Sequence, residues 1–276
     1  MSKVKNIIIK VIPAQKANEF IKKNHYSGKI VNNSVLHFGC FLNSNLEGVL
    51  SYGSPLDKRK VLNLVKTSNV GEKQKWHEML ELNRMAFTDT LPRNSESRCI
   101  AISIRLIKKN APHIKWILSF SDATQCGDGT IYRASGFKLT SINKNFNLAK
   151  LPCGAIIHKM TLESNPIVKR KELSNKSYYD LTGGKNNFSL FLKKINGVSL
   201  PGYQLRYILL IDQTASITVP IIPFSKIEEI GATMYKGVSG VNKSTSSDQL
   251  ERGGAVPTET LQNELTAKGL KVSVKS

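Results

Sequence analysis

The stretch Thr90-Leu-Pro-Arg-Asn-Ser-Glu-Ser-Arg98 decides the fold, because it lies between an apolar run and a helical one. A helix N-terminus offers unpaired backbone N–H groups and the positive end of a dipole, and together these bind phosphate. Arg93, Asn94, Ser95, Ser97 and Arg98 add side-chain donors at the same place. The segment therefore reads as a glycine-free pyrophosphate loop. The same residues also suit a plain helix start, with Ser95 as the cap and an acid in the first turn. Glu96 is the odd member. A carboxylate is repelled by a phosphate, so it is expected to turn away and pair with Arg84 or Arg98.

Outward from this loop the periodicity is clear. Residues 4–12, VKNIIIKVI, are rich in β-branched residues and predict a strand. Pro13 to His25 predicts a helix, with proline in its first turn and Ala17, Phe20 and Ile21 on one face. Residues 34–40 and 46–53 predict two strands joined by Leu42-Asn-Ser-Asn. Asn83 to Phe87 predicts a central strand and Ser97 to Lys109 the helix after the loop, closed by Pro112. Lys115 to Phe120 is a buried-type strand with Asp122 at its end. Gly129 to Gly136 is a short helix, and 137–160 return as strands. The order β-α-β-β-β-loop-α-β-α-β fits an α/β fold, a mixed central sheet flanked by helices. Residues 1–163 form this predicted domain. Residues 164–235, with a late strand at Tyr203–Ile211, form a C-terminal extension packing on it. Residues 236–276 are Gly/Ser/Thr-rich and expected to be a disordered tail.

Charge narrows the partners. The 276 residues hold 40 Lys and Arg against 20 Asp and Glu, a net of +20. The stretch from Val241 onward has five basic and four acidic residues, so nearly all the excess belongs to the folded body. That favours a polyanion, nucleic acid before an acidic membrane surface. A lysine-rich solvated surface is the plainer alternative. No run approaches the roughly 18 consecutive apolar residues of a membrane span, and the first residues do not read as a signal peptide. Cys40, Cys99, Cys126 and Cys153 form no CxxC pair, which argues for reduced, mostly buried thiols.

The strand–loop–helix–strand order resembles the GNAT N-acetyltransferase core, where the corresponding turn and helix cradle the pyrophosphate of acetyl-coenzyme A. That family's glycine-bearing turn is replaced here by Arg93–Arg98. Gly129-Thr-Ile-Tyr132 and the pair Gly136-Phe137 match its later helix. Five stretches in order resemble, more closely, the phage Mom family of DNA-modifying proteins. They are Asn24-His-Tyr-Ser27, Glu81-Leu-Asn-Arg84, Pro92–Arg98, Lys115–Asp122 and Gly129–Tyr132. Gly202–Ile208 resembles that family's C-terminal extension in phage members. Ser121 stands where alanine is expected, and Gln125–Asp128 varies the loop after Asp122.

The resemblance implies a protein in the cytoplasm of an infected bacterium that attaches a carbamoylmethyl group to adenine N6 in duplex DNA, hiding restriction sites. It implies acetyl-CoA as cofactor. Adenine N6 lies inside the stack, so the base is expected to flip into a pocket. Tyr26, Tyr52 and Tyr132 are candidate stacking or hydrogen-bonding groups. Asp122, at a strand's C-terminal end, can take a proton from N6 or orient the base. It can equally be a turn residue. Tyr132 can protonate the leaving thiolate or simply pack in the core. His25, beside Tyr26, can act as base or metal ligand, or neither. Arg84 can pair with Asp122 or Glu96, or touch a phosphate. Acyl transfer alone cannot make a carbamoylmethyl group. A second reactant is therefore required, and a redox metal such as iron on His25, His37 and carboxylates is one candidate, although no spacing demands it. An ordinary acetyltransferase of a protein or small amine, and a non-enzymatic DNA-binding protein, are the rival readings.

Overall fold

A computed structural model describes residues 6–67, 75–123, 127–232, 234–235 and 238–239. The chain divides into two units, 1–242 and 243–276, and every described residue lies in the first. The expected tail lies outside the described residues, except that Val238–Ser239 pairs antiparallel with Met234–Tyr235.

The first half follows the sequence pattern. Strand β1 (Ile8–Val11) leads into α1 (Ala14–Asn24), and Pro13 sits at its N-cap. Hairpin β2 (Ser34–Leu42) and β3 (Asn45–Gly53) turns on Asn43 and Ser44, both in the left-handed region (φ 51° and 67°). That conformation matches the twist of a two-residue hairpin, and asparagine tolerates it. Short α2 (Lys58–Val61) and β4 (Val65–Lys66) follow. Strand β5 (Met79–Phe87) starts earlier than Asn83, because Met79 and Leu82 bury their side chains as fully as Ala86 does.

Helix α3 (Ser95–Asn110) buries Cys99, Ile100, Ser103 and Ile107 on one face. Truncating a buried isoleucine such as Ile100 to alanine costs roughly 2–5 kcal/mol. Glu96 in its first turn and Lys108 and Lys109 in its last both suit the helix dipole. Strand β6 (Trp116–Asp122) and helix α4 (Thr130–Ala134) come next. Then follow β7 (Lys138–Lys150), β8 (Ile156–His158), α5 (Lys159–Glu163), α6 (Tyr178–Thr182), α7 (Phe188–Ile195), β9 (Val198–Leu210), β10 (Ser216–Ile217) and α8 (Ser225–Glu229).

Eight strands form one mixed sheet in the order β1-β2-β3-β5-β6-β9-β7-β8. The mixed sheet flanked by helices is the architecture the sequence implied. The late strand β9 does more than pack on the sheet: it lies between β6 and β7, so 1–163 and 164–235 share one sheet. The polar stretch 164–196 is also more structured than it reads. A capping box at Ser177 and Asp180 starts α6, and Leu162, Leu173, Tyr178 and Phe191 form a small core of their own. Two layers cover the main sheet. Helix α1 packs on the face of Val49 and Ala86, and α3 on the face of Phe38, Leu50, Tyr52 and Leu82. Cys40 and Cys99 are free buried thiols, and the hydrogen bond with Cys99, followed by burial, pushes the Cys40 thiol up. Cys153 is exposed, so the described thiols are mostly buried, and Cys126 lies outside the described residues.

Candidate active site

Strands β5 and β6 pair in parallel from Met79↔Trp116 to Leu82↔Ser119 and no further. Beyond that point β5 stays with β3, ending at Gly48↔Phe87, while β6 stays with β9, ending at Asp122↔Gln204. The sheet therefore opens at the C-terminal ends of its parallel pair. Such an opening is where α/β sheets bind ligands.

A bulge arranges the residues on the β5 side. Tyr52 pairs with Leu82 and Ser51 with Arg84, which leaves Asn83 as an extra residue. Strict alternation would put Glu81 and Arg84 on opposite faces. The extra residue puts them on the same face. Burial pushes the Glu81 carboxyl up to about 7, opposed by the nearby Arg84 guanidinium. Asn83 accepts from the Ser34 hydroxyl at 2.8 Å through Oδ1, and its buried Nδ2 has no partner among the described residues. Glu81 was missed as a site residue by sequence reasoning. The signal was the motif Glu81–Arg84, with a carboxylate inside an otherwise buried strand.

Arg84 faces the end of α1. Its Nε donates to the Lys29 carbonyl at 3.1 Å and its Nη1 to the Asn83 carbonyl at 2.9 Å. Burial, then the charges of Arg170 and Arg84, lower the Lys29 ammonium. His25 is half-buried, and burial, aided by Arg84, lowers its pKa to about 3. Its Nδ1 accepts the Ser27 amide at 3.1 Å, so the neutral ring carries its proton on Nε2 by this network. The Tyr26 ring lies 4.2 Å from the His25 ring, centroid to centroid, and is 49% exposed.

On the β6 side, half-buried Asp122 ends the strand. Its charge acts on His158, which burial holds below its ordinary pKa. His158 Nδ1 accepts the Met160 amide at 3.1 Å, again leaving the proton on Nε2. Tyr132 on α4 is buried against Tyr207, at 5.0 Å between ring centroids, and lies within electrostatic reach of Arg84. Gly129 before it combines φ 72° with a Tyr207 ring atom 2.7 Å from where a Cβ would stand. A side chain there is excluded on both counts. The cleft thus gathers His25, Tyr26, Glu81, Arg84, Asp122, Tyr132 and His158.

Tyr52 does not join them. It is fully buried, donates to or accepts from Ser103 at 2.6 Å, and its phenol is pushed up by burial. That corrects its reading as a stacking group: it is a core residue under α3. His37 is buried and tied to Ser51 at 2.8 Å. No group of three or more His, Cys, Asp or Glu able to hold a metal occurs among the described residues. His25 Nδ1, taken by an amide donor, also cannot carry the proton a ligating Nε2 would leave there. The described residues therefore do not fit the iron site considered from sequence.

The loop is a second locus. Thr88 and Thr90 bind the Glu47 carboxylate, Thr90 at 2.6 Å, which pins the loop to β3. Asn94 is the cap, in the left-handed region (φ 66°) and without a side-chain cap bond; Ser95 already lies in the helix. Ser95 is buried and gives its hydroxyl hydrogen to the Pro92 carbonyl. Ser97 gives its own to the Asn94 carbonyl at 3.3 Å. The amides of Glu96 and Ser97, in the first turn, have no carbonyl four residues back inside the helix. Arg93 is exposed, and Arg98 has a buried Nε with no partner among the described residues. Glu96 forms no ion pair with Arg84 or Arg98 among the described residues, contrary to expectation. The Arg84 guanidinium is spent on two carbonyls instead.

The chain is 39% identical to the "Methylcarbamoylase mom" of Escherichia phage Mu over 137 residues, 48% of this chain and 53% of that protein. The match thus spans about half the length of this curated relative. Among solved structures, a Bacillus subtilis acetyltransferase in complex with CoA aligns over 74% of this chain and 99% of its own, at 9% identity and TM-score 0.40. A GNAT family acetyltransferase from Elizabethkingia anophelis with acetyl-CoA bound aligns over 75% and 99%, at 13% and TM-score 0.39. The model of the Mom protein family matches residues 6–226, most of the chain, and the chain belongs to that family.

Proposed function

We propose that this chain is a transferase that modifies adenine N6 in duplex DNA, with acetyl-CoA held at Pro92–Arg98 and the target base in the cleft between β5 and β6. The observation that carries the reading is the cleft itself. A parted parallel pair brings together two acids, two neutral histidines, two tyrosines and an arginine, in a chain of the Mom protein family. The +20 charge supports a polyanionic substrate over a small amine. The carbamoylmethyl product and the shielding of restriction sites are what the resemblance to the Mom family implies, and the name of the Mu relative, a methylcarbamoylase, supports the first.

The loop fits an anionic cofactor. A pyrophosphate would supply acceptors for the first-turn amides of Glu96 and Ser97, which have none within the helix, and for the buried Arg98 Nε, which has no partner among the described residues; exposed Arg93 can reach the same charge. Ser95 and Ser97 shape the turn through the carbonyls of Pro92 and Asn94. Acetyl-CoA, when bound, supplies an activated two-carbon group.

In the cleft, Asp122 takes the proton leaving N6. The Nε2–H groups of His25 and His158 donate to the edge of the flipped base, and Tyr26 offers its exposed ring as a stacking face. Tyr132 returns a proton to the leaving thiolate. Arg84 fixes the His25 loop through the Lys29 carbonyl and adds to the burial that keeps the His25 ring neutral. Acyl transfer alone yields N6-acetyladenine, whereas a carbamoylmethyl group has an N6–CH2 bond and a terminal amide. A nitrogen donor must therefore provide the amide nitrogen as the thiol leaves, and a separate two-electron oxidant must accept the electrons lost when a methyl C–H bond becomes the N6–CH2 bond.

Plasmid DNA from bacteria making the chain should resist nucleases whose sites contain adenine and be cut normally by those reading only G and C. Equal cutting by both, with and without the chain, contradicts the proposal.

A further inference from the structure

The loop after α5 carries apolar side chains outward beside the cleft. Ile167 is 75% exposed and Val168 46% exposed. The loop is held in place: the Tyr179 amide at the start of α6 donates to the Pro166 carbonyl at 3.0 Å, and the Val168 amide to the Asn165 carbonyl at 3.3 Å. The chain then doubles back on an isolated bridge between Arg170 and Lys176, with the Arg170 amide 3.1 Å from the Lys176 carbonyl. Lys169, Lys171 and Lys176 are exposed around this tip.

The tip is wired to the cleft. Arg170 Nη2 donates to the Thr161 carbonyl at 3.0 Å, and the Thr161 hydroxyl accepts from Lys29 Nζ. The Lys29 carbonyl accepts from Arg84 at 3.1 Å. A continuous chain of contacts therefore leads from the arginine of the cleft to the apolar loop.

We propose that Ile167 and Val168 form a wedge that enters duplex DNA next to the target adenine. It occupies the stack while the base is out, and Lys169, Lys171 and Lys176 hold the flanking phosphates. The inference rests on the reading of duplex DNA as substrate. Extruding a base leaves a gap, and an apolar side chain placed there recovers lost stacking contact. Apolar residues collared by cations match a duplex, whose charge lies outside and whose apolar faces lie within. The same collar repels a second copy of the chain.

The test compares native plasmid DNA with the same DNA heat-denatured, both incubated in an acetyl-CoA-supplemented extract of bacteria making the chain. Modified adenosine is read by mass spectrometry after digestion. Denatured DNA needs no wedge, so in Ile167→Ser/Val168→Ser the native-to-denatured ratio falls at least about tenfold below wild type. A ratio equal to wild type overturns the wedge and leaves the DNA reading standing. Conversion of neither form by wild type overturns that reading and the wedge with it. Separately, Lys169→Ala/Lys171→Ala/Lys176→Ala should flatten the salt dependence of duplex binding by about 0.9 per lost phosphate contact. An unchanged slope removes the collar. Cosedimentation with phosphatidylserine vesicles that Ile167→Ser/Val168→Ser abolishes, with no change in the DNA ratio, assigns the tip to a membrane surface and overturns the proposal.

Discussion

Leu82 and Ser119 are the last partners of the parallel pair, and the Ser119 hydroxyl donates to the Leu82 carbonyl at 3.0 Å. This bond fastens the sheet at the point where it divides. One residue further along β5, the Asn83 bulge begins and turns Arg84 to the face of Glu81. The chemistry of the cleft therefore depends on where pairing stops.

Arg84→Ala should free the His25 loop and raise the His25 pKa, because the guanidinium helps keep the ring neutral. NMR titration of the His25 ring checks this. A pKa that stays near 3 would show that burial alone sets it.

Glu81 gives stability a definite pH dependence. Its carboxyl is pushed up to about 7 in the fold, so its contribution is fully present below the ordinary carboxylate pKa of about 4.5 and is lost as pH rises through about 7. Glu81→Gln should therefore raise the melting temperature relative to wild type at about pH 8 more than at about pH 4.5. His25 has the opposite sign: its pKa is lowered to about 3, so its contribution is present above about 6.5 and lost as pH falls towards about 3. An equal effect of Glu81→Gln at both pH values would mean that the Glu81 carboxyl has the same pKa folded and unfolded.

Arg93→Ala with Arg98→Ala should weaken acetyl-CoA binding by about tenfold or more, since charge-assisted contacts to phosphate contribute roughly 1.5–3 kcal/mol each. Calorimetry on the full chain reads this. Unchanged affinity would move the cofactor away from the loop.

Asp122→Ala and Tyr132→Phe should each reduce modification by at least about a hundredfold, the scale of general acid–base catalysis. Duplex binding, read by gel shift, should persist in both. Full activity in either variant would remove that residue from the proton path.

Much of this was legible in the sequence. The loop and α3 showed themselves because Ser, Asn and Arg precede a helical apolar period, and α1 because Pro13 precedes one. His25, Tyr26, Arg84, Asp122 and Tyr132 were found through motifs and do meet at the cleft. Four things were hidden. The bulge at Asn83 leaves no mark in a strand-like run, so the shared face of Glu81 and Arg84 could not be read. His158 acts with Asp122 from β8, three strands away from β6 in the sheet, and sheet order is not a local property. Tyr52 looked available because burial by α3 is a tertiary effect. The apolar tip at Ile167 lay within a stretch whose polar composition hid two helices and a small core.

The most direct test of the central claim is the mass of adenosine nucleosides digested from the DNA of bacteria making the chain. The account predicts a new derivative with the mass of N6-carbamoylmethyl-2′-deoxyadenosine, absent when Asp122 is replaced by alanine. Unmodified DNA alongside a newly acetylated protein or small amine would contradict it and leave an ordinary acetyltransferase in its place.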